Sequence, residues 1–337
     1  MMRVLGVLLI AGVSMGCGSR DKGEAAPATA AGSAPSAPPG PLSAEDLAAA
    51  WAEASALPPR SKVVLRTKLI DRGPAPEAAP VPPPSAPFTL VRYPAAPGPL
   101  VAYLTKDPGD GARHPAIVWL TGGDTNTIGD VWTPADPAND QTAAAYREAG
   151  LVMMFPSMRG GNDNPGRREG FLGEVDDVIA ARAFLASLPY VDPTRIYLGG
   201  HSTGGTLALL VAQTTDQFRA TISFGPVAFA GDYGGELVYC DPTDPVEMQP
   251  RSPAAWLKDL RTPTFVIEGA GGNVDAVRLL RQLSRNPQAQ FFEVAGTDHF
   301  GVLAPTNALI AEKLIADRGP QVSLTITSRE LDGLFRR

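Results

Sequence analysis

Apolar positions gather into short unbroken runs along the last two thirds of the chain. Runs at 117–120, 151–155, 195–198, 220–224, 263–268 and 290–294 carry so few polar residues that neither face suits water. The segments between them, 140–149, 174–188, 203–214, 274–285 and 305–317, read as helices. Buried strands alternating with helices predict a mostly parallel, doubly wound α/β sheet covered on both faces. Chemistry in such sheets sits at the carboxyl ends of the strands.

Upstream, 88–93 and 100–106 predict an antiparallel pair split by Pro97-Gly98-Pro99. Residues 62–70 read as a strand, 73–87 as a proline-rich connection, and Ser43-Ala44-Glu45-Asp46 as the cap of a short helix. A last apolar run, 322–327, predicts an added edge strand, and no internal repeat is present. The layout is an extension over 42–86, a main domain over 87–320 and a tail over 321–337.

The N-terminus has a different pattern. Arg3 precedes a ten-residue apolar run, 4–13, which is half of the ~20 residues a membrane-spanning helix needs. It leads into Val13-Ser14-Met15-Gly16-Cys17, which resembles a bacterial lipoprotein signal, with Ser14 where leucine is usual. The resemblance implies that residues 1–17 are a signal peptide ending at a lipidated Cys17, and that the chain is exported and anchored to the cell envelope. An ordinary secretory signal cut nearby is the alternative. Residues 18–41, of which 23–41 are almost all Ala, Pro, Gly and Ser, then act as a tether.

Composition narrows the chemistry. The 337 residues are 44% hydrophobic and 19% charged, as in a globular protein, with a net charge of −6. A phosphate-binding surface needs positive potential, so nucleic acid is not an expected partner. Two cysteines, Cys17 and Cys240, allow neither a disulfide framework nor a Cys-rich zinc site, and no cofactor or metal is expected. Histidine is scarce: His114, His201 and His299.

The run 195–198 leads through Gly199 into Gly200-His201-Ser202-Thr203-Gly204 and then into a helix. This is the setting of a nucleophile elbow, a tight strand-to-helix turn that lifts a serine above the sheet. A phosphate loop is the other reading of a glycine-rich turn, but the G-x-G-x-x-G spacing and a Walker lysine are missing. Ser202 needs a base. His201 adjoins it and points the other way, and His114 precedes the first parallel strand, at the wrong end of the sheet. His299 remains, directly after the last apolar strand and downstream of the serine.

Other segments carry a family resemblance. Ser157-Met158-Arg159-Gly160-Gly161, Gly173-Glu174-Val175-Asp176-Asp177, Val191-Asp192-Pro193-Thr194-Arg195-Ile196 and Arg251-Ser252-Pro253 occur in order around the elbow, followed by Thr262-Pro263-Thr264 and Gly269. With them, residues 100–318 resemble the catalytic domain of the prolyl oligopeptidase family within the α/β-hydrolase superfamily. The resemblance implies an α/β-hydrolase fold and a serine hydrolase, peptidase or esterase, acting on small-molecule or peptide substrates. The family places its acid in G-x-x-D, but here Gly272 stands at that position. Asp275, three residues on, is the expected acid if the loop is rearranged, with Glu268 and Asp232 as alternatives and helix capping as the other role for Asp275. The expected oxyanion donors are the backbone N–H groups of Thr203 and Gly123, since Thr121 is too short to replace the tyrosine or H-G-G of relatives. The residues ahead of the domain are too few for a propeller, so the 38 residues 225–262 are the candidate cap, with Trp132 and 124–140 as the opposite wall. The glycine at 272 keeps a second class open: a weak or silent hydrolase-fold protein that binds a ligand.

Overall fold

Side chains along each central strand alternate between two apolar layers, and this alternation organises the chain. In 114–120, Val118 and Leu120 join one buried cluster while Ile117 and Trp119 join the other. The computed structural model describes residues 42–70 and 79–336, so the signal segment 1–17, with Cys17, lies outside the described residues, as does the tether. The strands are β1 Phe88–Ala95, β2 Gly98–Thr105, β3 His114–Leu120, β4 Val152–Pro156, β5 Val191–His201, β6 Thr221–Phe224, β7 Thr264–Gly269 and β8 Ala289–Val294. They form one sheet in the order β1-β2-β4-β3-β5-β6-β7-β8. β1 and β2 pair antiparallel, β2 runs antiparallel to β4, and pairing is parallel from β4 to β8.

The helices are α1 Ala44–Ala56, α2 Ala144–Glu148, α3 Glu174–Ser187, α4 Thr203–Ala212, α5 Gly235–Val238, α6 Pro245–Met248, α7 Val274–Leu283, α8 Leu303–Ala316 and α9 Ser328–Gly333. One cluster packs α1, α3, α4 and α7 onto one face of the sheet, and the other packs α2, α8 and α9 onto the opposite face. α4 is buried along its whole length, so the sheet carries its central helix rigidly.

Three predicted elements take a different form. Residues 62–70 do not join the sheet: after the single turn Arg60–Lys62 they lie as a strap on the 225–262 insert. The N–H of Lys68 and the hydroxyl of Thr67 donate to Glu247 at 2.7 and 2.8 Å, and the N–H of Ile70 to the C=O of Tyr239 at 2.9 Å. The run 322–327 is no strand either. It buries Leu324 and Ile326 against the second cluster and ends in a capping box, Thr327 with Glu330, that starts α9. Within 140–149, Asp140 and Thr142 spend their polar groups on a turn, so that α2 begins at Ala144. Trp132, in the expected opposite wall, packs edge-on against Tyr103, centroids 5.1 Å apart.

Candidate active site

Ser202 alone separates β5 from α4. Its φ of 55° and ψ of −116° form a strained conformation for a residue with a Cβ. Neighbours enforce it: the N–H of Ser202 donates to the C=O of Phe224 at 2.8 Å, and its C=O accepts from the N–H of Thr206 at 2.9 Å. Gly204 passes so close to Leu120 that a Cβ would overlap that residue's carbonyl. The serine is half-buried, at the N-terminus of a buried helix, where the dipole favours negative charge.

His299 lies in the loop between β8 and α8, and its Nδ1 is 2.8 Å from Oε2 of Glu268. Glu268 is fully buried near the end of β7 and His299 is nearly so. Asp275, the expected acid, is not the carboxylate that meets His299. It sits in the first turn of α7 and accepts from Arg278 at 3.0 Å. The glycine at 272 has a steric reason: a Cβ there would come 2.5 Å from Oε1 of Glu268. Gly225, with φ 53°, likewise leaves room for both the Glu268 carboxylate and the His299 ring. The carboxylate of Glu268, from the strand, thus occupies the space beside the loop position where an aspartate is expected. Gly225 follows Phe224, whose carbonyl holds Ser202, so Ser202, His299 and Glu268 gather at the ends of β5, β6 and β7. Among the described residues no hydrogen bond joins the Ser202 hydroxyl to His299. Bonds of this kind tighten in the substrate complex.

The expected oxyanion donors lie in the loop after β3 and at the start of α4. The N–H of Gly122 is taken by Oε1 of Gln141 at 3.1 Å, which leaves that of Gly123, at φ 75°, as the donor the loop offers. Thr203 opens α4, where the first N–H groups lack intrahelical acceptors, and its Oγ1 donates to the C=O of Gly123 at 2.8 Å. The hydroxyl thus ties the two candidate donors together.

The flanking loops are fixed by the Arg159 and Glu174 segments. The Arg159 guanidinium binds Asp177 through two bonds of 2.9 Å and Glu169 at 2.7 Å, and its backbone N–H donates to Asp177 at 2.9 Å. Glu174, whose carboxyl burial pushes upward, accepts from the N–H groups of Glu169, Gly170 and Leu172 and from Nδ2 of Asn126. The insert meets the site as well. Tyr233 stacks on Phe171, and Leu237 and Tyr239 line, with Thr203 and Gly123, a crevice of about 10 Å³. That is room for about one water. Asp232 lies in the turn Ala230–Tyr233, where burial raises its carboxyl to about 6.

Two groups were not legible as parts of a site. His201 is almost fully buried, hydrogen-bonded to Gln141 and to the backbone of His299, and burial lowers its imidazole to about 3. Its place next to the serine marks it only as not being the base. Gln141 lies far from any motif. Among the described residues no group of His, Cys, Asp and Glu is placed to hold a metal ion, and the free Cys240 is buried.

A strained serine between a parallel strand and a helix, beside a histidine held by a carboxylate, defines an α/β-hydrolase fold, and comparisons with solved structures agree. A puromycin-hydrolysing peptidase of Mycobacterium tuberculosis superposes with a TM-score of 0.54 at 21% identity, covering 68% of this chain and 39% of that one. An esterase of Pyrobaculum calidifontis gives 0.52 at 21% identity, covering 69% and 86%. The model of the prolyl oligopeptidase family matches residues 137–271, which include Ser202 and Glu268. A dual function macrocyclase-peptidase of Galerina marginata is 30% identical over 146 residues, 39% of this chain and 20% of the relative. The chain thus spans about a fifth or less of the curated relatives it matches.

Proposed function

We propose that the protein is a serine hydrolase of prolyl oligopeptidase type, cleaving ester or peptide bonds through an acyl-enzyme. The reading rests on one observation: the strained Ser202 converges at the strand ends with a His299 whose Nδ1 is held by the buried Glu268. With Nδ1 so engaged, Nε2 is free to take the proton of Ser202 as its oxygen attacks the substrate carbonyl. The N–H groups of Thr203 and Gly123 receive the oxyanion. Nε2 then returns the proton to the departing alcohol or amine, and water repeats the sequence to release the acid. The carboxylate of Glu268, seated beside Gly272 and bonded to His299, supports the hydrolase over the silent binding protein.

A fluorophosphonate applied to membrane and soluble fractions tests this reading together with the location. Wild type is expected to label, Ser202→Ala not at all, and Asp275→Asn as wild type. Glu268→Gln is expected to lose on the order of 10⁴ in turnover. Cys17→Ser is expected to move the labelled band from the membrane to the soluble fraction. Absence of labelling in folded wild type overturns the hydrolase, and a Cys17→Ser band that stays in the membrane overturns the anchor.

A further inference from the structure

His201 is placed between the two halves of the catalytic machinery. Its Nδ1 accepts from Nε2 of Gln141 at 2.8 Å, which leaves its Nε2 to donate to the backbone C=O of His299 at 2.9 Å. The same Gln141 side chain accepts the N–H of Gly122 at 3.1 Å, and its backbone C=O accepts the indole N–H of Trp119 at 3.0 Å. The rings of His201 and His299 lie 4.4 Å apart, and Phe300 closes on both at 5.5 and 4.9 Å. A continuous chain therefore runs from the loop that carries Gly123, through Gln141 and His201, to the backbone of the base. His201 is almost fully solvent-free, and a buried hydrogen bond broken on one side leaves its partner's desolvation uncompensated.

Resting on the hydrolase reading, we propose that His201 is a positioning residue: with Gln141 it fixes the backbone of His299 against the oxyanion loop. Base and oxyanion donors are thereby held at one spacing. Its polarity is set by the carboxamide, since an amide N–H can meet only the lone pair on Nδ1, and the proton must then sit on Nε2. A neighbour that merely filled space would need neither nitrogen.

Four variants of the full-length chain test this by hydrolysis of p-nitrophenyl acetate. His201→Phe keeps the ring and drops both hydrogen bonds, so kcat is expected to fall about 10- to 100-fold, with KM within about twofold, as for a small misplacement of reacting groups. His201→Gln, whose amide still reaches the His299 carbonyl, is expected to recover most of that loss. Gln141→Leu is expected to fall in the same way, and the double variant His201→Phe with Gln141→Leu to lose less than the product of the two single losses. A His201→Phe enzyme that turns over at the wild-type rate, or losses that multiply, overturns the proposal. The ¹⁵N signals of the imidazoles read the same chain without activity, so a wild type that fails to hydrolyse anything sinks the hydrolase and still tests the link. His201 is expected to show a bare Nδ1 and a protonated Nε2, and Gln141→Leu to shift the His299 ring. The opposite tautomer, or a His299 signal that does not move, overturns it.

Discussion

Gly272 carries the sharpest lesson about single residues. The aspartate that the resembled family has at this point is missing, and Asp275 pairs with Arg278 instead. The space is filled by the carboxylate of Glu268, which a Cβ at 272 would approach to 2.5 Å. Gly272→Ala is therefore expected to push Glu268 off His299, cutting kcat at least about 100-fold, below the ~10⁴ of full acid loss. Stability should fall by about 1–3 kcal/mol from overpacking. Turnover of p-nitrophenyl acetate and a urea melt measure the two. Gly272→Asp combined with Glu268→Ala should restore part of the rate that Glu268→Ala loses alone. A Gly272→Ala enzyme as active as wild type would mean that Glu268 does not orient the base. Ser202 and His299 were legible because a glycine-flanked serine and a scarce histidine leave marks in the sequence. Glu268 left a weaker one, since it lies within an apolar strand, where its side chain is seen to serve the loop only once that loop is folded.

The elements follow the same division. Strands that are apolar on both faces declare themselves, and β3 to β8 lie where the runs predict. The strap over 62–70 alternates like a strand, but its backbone finds partners in the insert, and sequence cannot say which acceptor a free edge will meet. Glu247 is that acceptor. It also pairs at 2.8 Å with Arg251, whose side chain is fully buried. Removing one partner of a buried pair leaves an uncompensated charge, so Glu247→Gln is expected to cost about 2–4 kcal/mol, softened by the carbonyls that also bind Arg251. The strap should loosen with it, and trypsin should then cut at Lys62, Arg66 or Lys68 faster than in wild type. Unchanged cleavage would mean that contacts other than Glu247 hold the strap. α9, by contrast, was within reach of the sequence: Thr327 and Glu330 have the spacing of a capping box, obscured by the apolar run before them.

For the molecule as a whole, the buried titratable groups set how stability responds to acid, and two of them oppose each other. His201 has a folded value near 3, lowered by burial and by the neighbouring His299, against about 6.5 in the unfolded chain. Below about pH 6.5 the unfolded chain binds a proton that the native state refuses. Stability is therefore complete above that value and is lost as pH falls toward 3, by about 2 kcal/mol at pH 5. Asp232 acts in the other direction. Burial raises it to about 6, so its contribution is full below the unfolded value of about 3.9 and is lost as pH rises through about 6. Between pH 7 and pH 5 it returns about 1 kcal/mol once its partial exposure is counted. Asp317, at the opposite end of the sheet, is buried too, yet Arg219, Ser323 and Tyr197 hold it well below the carboxylate range, so it stays ionised across this window. The wild type should thus lose about 1 kcal/mol from these two groups on acidification from pH 7 to pH 5. His201→Gln, without the titrating ring, should instead gain about 1 kcal/mol, and Asp232→Asn should lose about 2 kcal/mol. Urea melts of the three proteins at pH 5 and pH 7 read these differences directly. If His201→Gln follows the wild type between the two pH values, the buried imidazole takes up its proton in the native state. The neutral ring assigned to the link between Gln141 and His299 would then be charged at pH 5.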